Sequence, residues 1–265
     1  MPQASSTIDR EQYLRALVIG PPKIGKTSMC VSTAPGMVYV INTDMRKTAL
    51  AGAKRRTSNF EWDAVADWNQ MQTALRYAHD GVKAGRYKTI VLDTLSSFSE
   101  RLVEQCLAAT DSGNGPDGRR AYPDYERRLR QVIENLFHLD AHVIVISHYI
   151  ELRGEVDESK QMPKSGDGLV PLLAGKARAT IPMLFDDVIF MDYVAPARGQ
   201  PAQRVFVTNP EGAWGPGSRS LESSDRMPAD IGKLLEAFSA QASKDAAASP
   251  ANGRSARRGQ SEARR

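Results

Sequence analysis

Apolar residues along this chain gather into short unbroken runs, and between the runs they recur at three- and four-residue spacing. Leu14, Ala16, Leu17, Val18 and Ile19 form the first run and Met37-Val38-Tyr39-Val40-Ile41 the second. Thr89-Ile90-Val91-Leu92-Asp93 is the third, and Val143-Ile144-Val145-Ile146 within His142–His148 the fourth. Runs this short, apolar throughout and rich in β-branched residues, predict strands buried on both faces. The helical spacing predicts helices over Thr27–Thr33, stopped by Ala34-Pro35-Gly36, over Ala64–Val82, over Leu95–Ala109 and over Tyr125–Leu139. Strands alternating with helices specify a parallel sheet covered on both sides, an α/β fold.

The remaining segments extend this frame. Lys47–Arg56 is basic and short of large apolar residues, which fits a surface connection or a short helix, and Phe60-Glu61-Trp62 fits a short strand. Turn formers make Asp111–Gly118 a loop, and Glu151–Pro171 reads as a long polar connection. Ala174–Leu184 is helical in pattern but interrupted by Pro182. Asp187–Tyr193 and Gln203–Thr208 read as two C-terminal antiparallel strands joined by the Ala195–Pro201 turn. Asn209–Gly212 is a further turn, and Asp230–Phe238 a closing helix.

Charge separates the tail from the rest. Six basic side chains against two acidic ones fall within 241–265, which accounts for the whole formal excess of +4. That tail is rich in Ala, Ser, Gly and Arg and has almost nothing to bury, so it is expected to be disordered, either a phosphate contact or a solvated extension. The chain therefore divides into an N-terminal arm (1–12), one domain (13–240) and a basic tail (241–265). No apolar stretch approaches a membrane span, and Met1–Glu11 lacks the apolar core of a signal peptide. The two cysteines, Cys30 and Cys106, have no metal-ligand spacing and read as buried thiols. A cytoplasmic protein is expected.

Directly after the first strand comes Gly20-Pro21-Pro22-Lys23-Ile24-Gly25-Lys26-Thr27, which fits G-x-x-x-x-G-K-[ST] at every fixed position, between a strand and a helix. Gly20 and Gly25 let the backbone curl so that its N–H groups point at a phosphate. Lys26 supplies a cation to the β- and γ-phosphates, the Thr27 hydroxyl is suited to Mg²⁺, and the helix that runs on through Ser28 brings its positive end. Ligands of parallel sheets bind at the carboxyl ends of the strands, where Asp44, Asp93 and His148 also fall. Asp93 suits a Mg²⁺-organising carboxylate or a cap for the next helix. Asp44 suits a water-orienting base, a surface turn or an acceptor-binding group. His148 suits a γ-phosphate sensor or a structural histidine. Lys176 and Arg178 suit charge-neutralising fingers reaching a neighbouring subunit's nucleotide, or a solvated helix face.

The phosphate loop, the strand ending at Asp44, Thr89–Thr94 and Val143–His148 together resemble the RecA-like ATPases. Residues from about 13 to 238 are similar to the phage-encoded Sak-type group associated with single-strand annealing and recombination, counted among the AAA-family ATPases. Leu173–Arg178, Leu184–Val188 and Arg204–Pro210 follow that group's pattern. The resemblance implies a RecA-like phosphate-loop NTPase fold and ATP hydrolysis stimulated by DNA. ATP is then held by Gly20, Pro21, Pro22, Lys23, Ile24, Gly25, Lys26, Thr27 and Ser28, with Mg²⁺ near Thr27 and Asp93. It also implies single-stranded DNA as partner, a homo-oligomer, a single-strand-binding protein nearby and a bacterial host cytoplasm.

In RecA-like folds the loops after the Asp93-type and His148-type strands face DNA. Here these are Asp111–Tyr122, with Arg119, Arg120 and Tyr122, and Tyr149–Pro171, with Arg153, Lys160 and Lys164; the bland alternative is flexible loops with scattered charge. The chain departs from the pattern in three places. RecA-like recombinases usually carry Glu at the position of Asp44 and Gln at that of His148, and many ring-forming ATPases carry a catalytic Glu where Thr94 stands. A phosphate-loop kinase for a small acceptor and a slow, nucleotide-gated loader are the competing readings.

Overall fold

The sheet is laid out by strands that bury both faces. The computed structural model describes residues 13–113, 115–152, 156–157, 162–163, 168–194, 202–208, 217–218 and 226–248. Six strands run parallel in the order β3 (Phe60–Ala64), β2 (Val38–Asn42), β4 (Thr89–Asp93), β5 (His142–Ser147), β1 (Arg15–Ile19) and β10 (Asp187–Val194). Antiparallel β11 (Gln203–Val207) lies on β10 and β13 (Met227–Pro228) on β11, while the short β12 (Gly217–Ser218) also pairs with β10. This is the RecA-like phosphate-loop arrangement, with the expected C-terminal antiparallel strands.

Alternate residues of each strand feed two cores. Leu17, Ile19, Tyr39, Ile41, Ile90, Leu92, Val143 and Val145 meet α3 (Trp68–Lys83), α4 (Leu95–Thr110) and α5 (Gly118–Phe137). Ala16, Val18, Val38, Val40, Val91, Ile144, Ile146, Ile189 and Met191 meet α1 (Lys26–Thr33), α2 (Lys47–Lys54) and α7 (Ile231–Ala248). Two-sided burial explains why the strands read as solid apolar runs.

Element boundaries moved where caps and pairing outweigh periodicity. β3 continues to Ala64 and α3 starts only at Trp68, because the Asp67 carboxylate accepts from Gln70 N at 2.8 Å. α5 starts at Gly118, with the Asp117 carboxylate accepting from Arg119 N at 2.9 Å and Pro123 inside the helix. Arg119, Arg120 and Tyr122 are therefore helical, not loop residues as expected. The expected polar connection after β5 instead forms β6 (Tyr149–Leu152) and β9 (Gly168–Pro171), an antiparallel pair; β7 (Val156–Asp157) pairs with β8 (Met162–Pro163). The alternation in Tyr149-Ile150-Glu151-Leu152 is enough for a half-exposed strand once Leu169 and Val170 lie opposite.

Lys47–Lys54 is the short helix α2. The 174–184 segment holds α6 (Ala177–Thr180) and a 3-10 turn at Pro182–Leu184, split before the proline. α7 runs to Ala248, into the stretch expected to be disordered. The 1–12 arm, the 195–201 and 209–212 turns, residues 249–265, and Arg153, Lys160 and Lys164 lie outside the described residues.

Candidate functional site

Gly20 follows β1 directly, and a Cβ there would sit 2.7 Å from the Met191 carbonyl oxygen of β10, so no side chain fits. Gly25 has φ 96°, a left-handed conformation natural to glycine, and precedes the first turn of α1. Within this loop Lys26 is 5% exposed, and its ammonium donates to the carbonyls of Gly20 at 2.7 Å and Pro21 at 2.9 Å. Burial pulls that ammonium down to about 8, against Asp93, Cys30 and Asp44, which raise it.

Thr27 donates its hydroxyl to Asp93 Oδ1 at 3.0 Å, the pairing expected of two groups that share a cation. Asp93 ends β4 at 2% exposure, and burial pushes its carboxyl up to about 6; the Thr27 hydrogen bond and Lys26 oppose the rise while Asp44 adds to it. A dry carboxylate beside a hydroxyl, with a second carboxylate nearby, is a donor set for a hard divalent ion. Among the described residues no three His, Cys, Asp or Glu side chains form a protein-only cage. Mg²⁺ at Thr27 and Asp93 would draw its other ligands from phosphate and water, and when bound it would neutralise phosphate charge.

Asp44 lies beyond β2, held by its neighbours. Its N–H donates to the Asp93 carbonyl and to Asn42 Oδ1, each at 3.2 Å, and Ser97 donates its hydroxyl to Asp44 Oδ1 at 3.4 Å. Thr43 is fixed in turn: its hydroxyl donates to the Thr94 carbonyl at 2.6 Å, and Arg101 grips the carbonyls of Thr43, Val65 and Ala66. Thr94 caps α4 by accepting from Ser97 N. His148 sits one residue past β5, half-buried, with Nδ1 3.4 Å from the Lys26 ammonium. Burial and Lys26 hold its pKa below the ordinary value, Arg46 adds to that and Asp44 opposes it. A neutral ring there accepts from Lys26.

Gly25, Lys26, Thr27, Asp44, Thr94, Ser97 and His148 line one cleft of about 770 Å³, which also takes in Pro22, Lys23, Ser28, Arg46, Glu100 and Arg101, with Asp93 buried directly behind Thr27. The structure thus brings together Gly25, Lys26, Thr27, Asp44, Asp93 and His148. It places Lys176 and Arg178 elsewhere: Lys176 is exposed at the start of α6, and Arg178 donates Nε to the Gly175 carbonyl at 3.0 Å. Arg46, Ser97, Glu100 and Arg101 were missed from sequence. Ser97 and Arg101 share a face of α4 at i, i+4, one turn on from the Thr94 cap, so helical periodicity would have found them once the cleft side was known.

His148 also links the cleft to the β6–β9 pair. Its N–H donates to Ser96 Oγ at 3.0 Å, and its carbonyl accepts from Ser147 Oγ at 2.9 Å and from Leu172 N at 2.8 Å, just past β9. Arg119, Arg120 and Tyr122 are exposed on α5, and Tyr122 packs against the Gly175 turn, where an added Cβ would be 3.3 Å from its ring. Cys30 and Cys106 are both buried free thiols. No helix among the described residues is long and apolar enough to cross a membrane.

A family model described as an AAA domain matches residues 12–220. No curated protein matches the chain.

Proposed function

The chain belongs to the AAA domain family of phosphate-loop ATPases, and on that footing we propose that it hydrolyses ATP and acts on single-stranded DNA in phage-type annealing or recombination. One observation carries the nucleotide half: Lys26, the Thr27–Asp93 pair, Asp44 and His148 come from four separate strand ends and meet at one cleft. In this reading Asp44, steadied by Ser97, orients a water against the terminal phosphate, while Lys26 and the loop N–H groups bear the phosphate charge.

The DNA half is supported by the sequence resemblance and by chemistry. Arg119, Arg120 and Tyr122 are exposed on α5, and the Gly175 turn that packs on Tyr122 carries exposed Lys176. Guanidinium and ammonium groups beside an accessible aromatic ring suit phosphate contact and base stacking. His148 supplies the coupling, because the residue beside Lys26 also holds the root of the β6–β9 pair. A homo-oligomer in which Lys176 or Arg178 reaches a neighbour's nucleotide, and an accompanying single-strand-binding protein, belong to the same proposal. So does action in a bacterial host cytoplasm.

The test is ATP hydrolysis with and without a single-stranded oligonucleotide, for the native chain and for Lys26→Ala. DNA-stimulated turnover, falling about a hundredfold in the variant, is expected. Turnover indifferent to DNA, with no oligonucleotide bound, would sink the DNA half. Thr94 favours one second reading: as a helix cap it leaves no carboxylate immediately after Asp93, so a nucleotide-gated loader that binds ATP and DNA but hydrolyses slowly fits the same cleft.

A further inference from the structure

The phosphate loop has a second flank. On one side of β1 lie β5, β4 and β2 with the groups suited to a terminal phosphate; on the other lie β10 and β11. Arg204 of β11 stands there, directly opposite Tyr193 of β10 in the antiparallel register, with its guanidinium carbon 5.6 Å from the Tyr193 ring centroid. The same guanidinium packs on the loop itself, since a Cβ added at Gly25 would meet Arg204 Nε at 3.3 Å and its guanidinium carbon at 3.4 Å. Its Nε is buried and has no hydrogen-bond partner among the described residues. Tyr193 is 46% exposed. Neither residue lines the cleft of Asp44 and His148.

A nucleotide whose terminal phosphate enters that cleft and whose phosphate chain runs back along the loop past Gly25 brings its sugar and base to the opposite flank, where Arg204 packs. There a planar cation and an accessible aromatic ring lie together on a surface suited to a purine, and the Arg204 Nε lacks an acceptor among the described residues. We infer that Tyr193 and Arg204 form the nucleoside subsite, Tyr193 stacking the base and Arg204 donating to sugar or base acceptors. This deepens the reading of Gly20–Thr27 as a nucleotide cradle and rests on it.

The subsite is tested by titrating the full chain with Mg·ATP and, separately, with Mg·tripolyphosphate, which has the phosphates and no nucleoside. Arg204→Ala and Tyr193→Leu are expected to weaken ATP binding about tenfold while leaving tripolyphosphate binding unchanged. Tyr193→Phe, which keeps the ring, should bind ATP as the native chain does, and this pair of Tyr193 variants carries the test if Arg204→Ala does not fold. Equal losses for both ligands would make Arg204 a mere buttress of the loop and overturn the inference; so would no loss for either. Lys26→Ala is the separate control: it should weaken both ligands, and if it weakens neither, the nucleotide reading itself is wrong.

Discussion

Lys26 and Asp93 are both pushed towards their neutral forms, the ammonium down to about 8 and the carboxyl up to about 6, because burial outweighs their attraction for each other. Both remain mainly charged near neutral pH, and a polyanion at Lys26 with a divalent cation at Asp93 would favour those charged forms further. A separate histidine gives a cleaner titration. His142, at the start of β5, accepts from Leu14 N through Nδ1 at 3.1 Å, and burial holds its pKa below the ordinary 6.5. The unfolded chain therefore takes up the proton more readily than the folded one, so the contribution is present above about pH 6.5 and lost as pH falls. Urea unfolding at about pH 7.5 and about pH 5.5 should show a larger acid loss for the native chain than for His142→Gln; equal losses would remove this role. At this scale Gly20–Thr27 was legible because its pattern is local. Arg204 was not, since its approach to Gly25 joins residues far apart in sequence, which no spacing records.

The elements were legible wherever burial was two-sided. β1, β2, β4 and β5 read directly from apolar runs, whereas β6 and β9 did not, because a half-exposed strand of four residues resembles a loop until its partner is known. α5 was read late for a related reason. Its first turns expose Arg119, Arg120 and Tyr122, and only Ala121 is buried before Tyr125, so the apolar stripe starts after the helix does. From Tyr125 onward α5 is an ordinary core helix, with the Tyr125 and Ser99 hydroxyls bonded to each other and Leu129, Val132, Ile133 and Leu136 fully buried. Leu129→Ala should cost about 2–5 kcal/mol in equilibrium urea unfolding, and a loss below about 1 kcal/mol would mean that α5 is not held by this stripe.

In the whole molecule, the strand order is what converts scattered residues into a site. Placing β4 and β5 between β1 and β2 sets Asp93 opposite both Asn42 and Ile146 and brings His148 beside the start of the phosphate loop. Sequence alone brought Asp44, Asp93 and His148 to a common edge; it did not reveal that His148 also anchors Leu172 and with it the β6–β9 pair. On the proposed reading that anchor would couple nucleotide binding to DNA binding, and linkage requires such a dependence to run both ways. The most direct measurement is the fluorescence anisotropy of a labelled single-stranded oligonucleotide titrated with the full chain, without nucleotide and with a non-hydrolysable Mg·ATP analogue. Tighter binding with the analogue, by about fivefold or more and abolished in Lys26→Ala, is the predicted result; native affinity that is the same with and without the analogue would contradict a nucleotide-coupled DNA-binding ATPase.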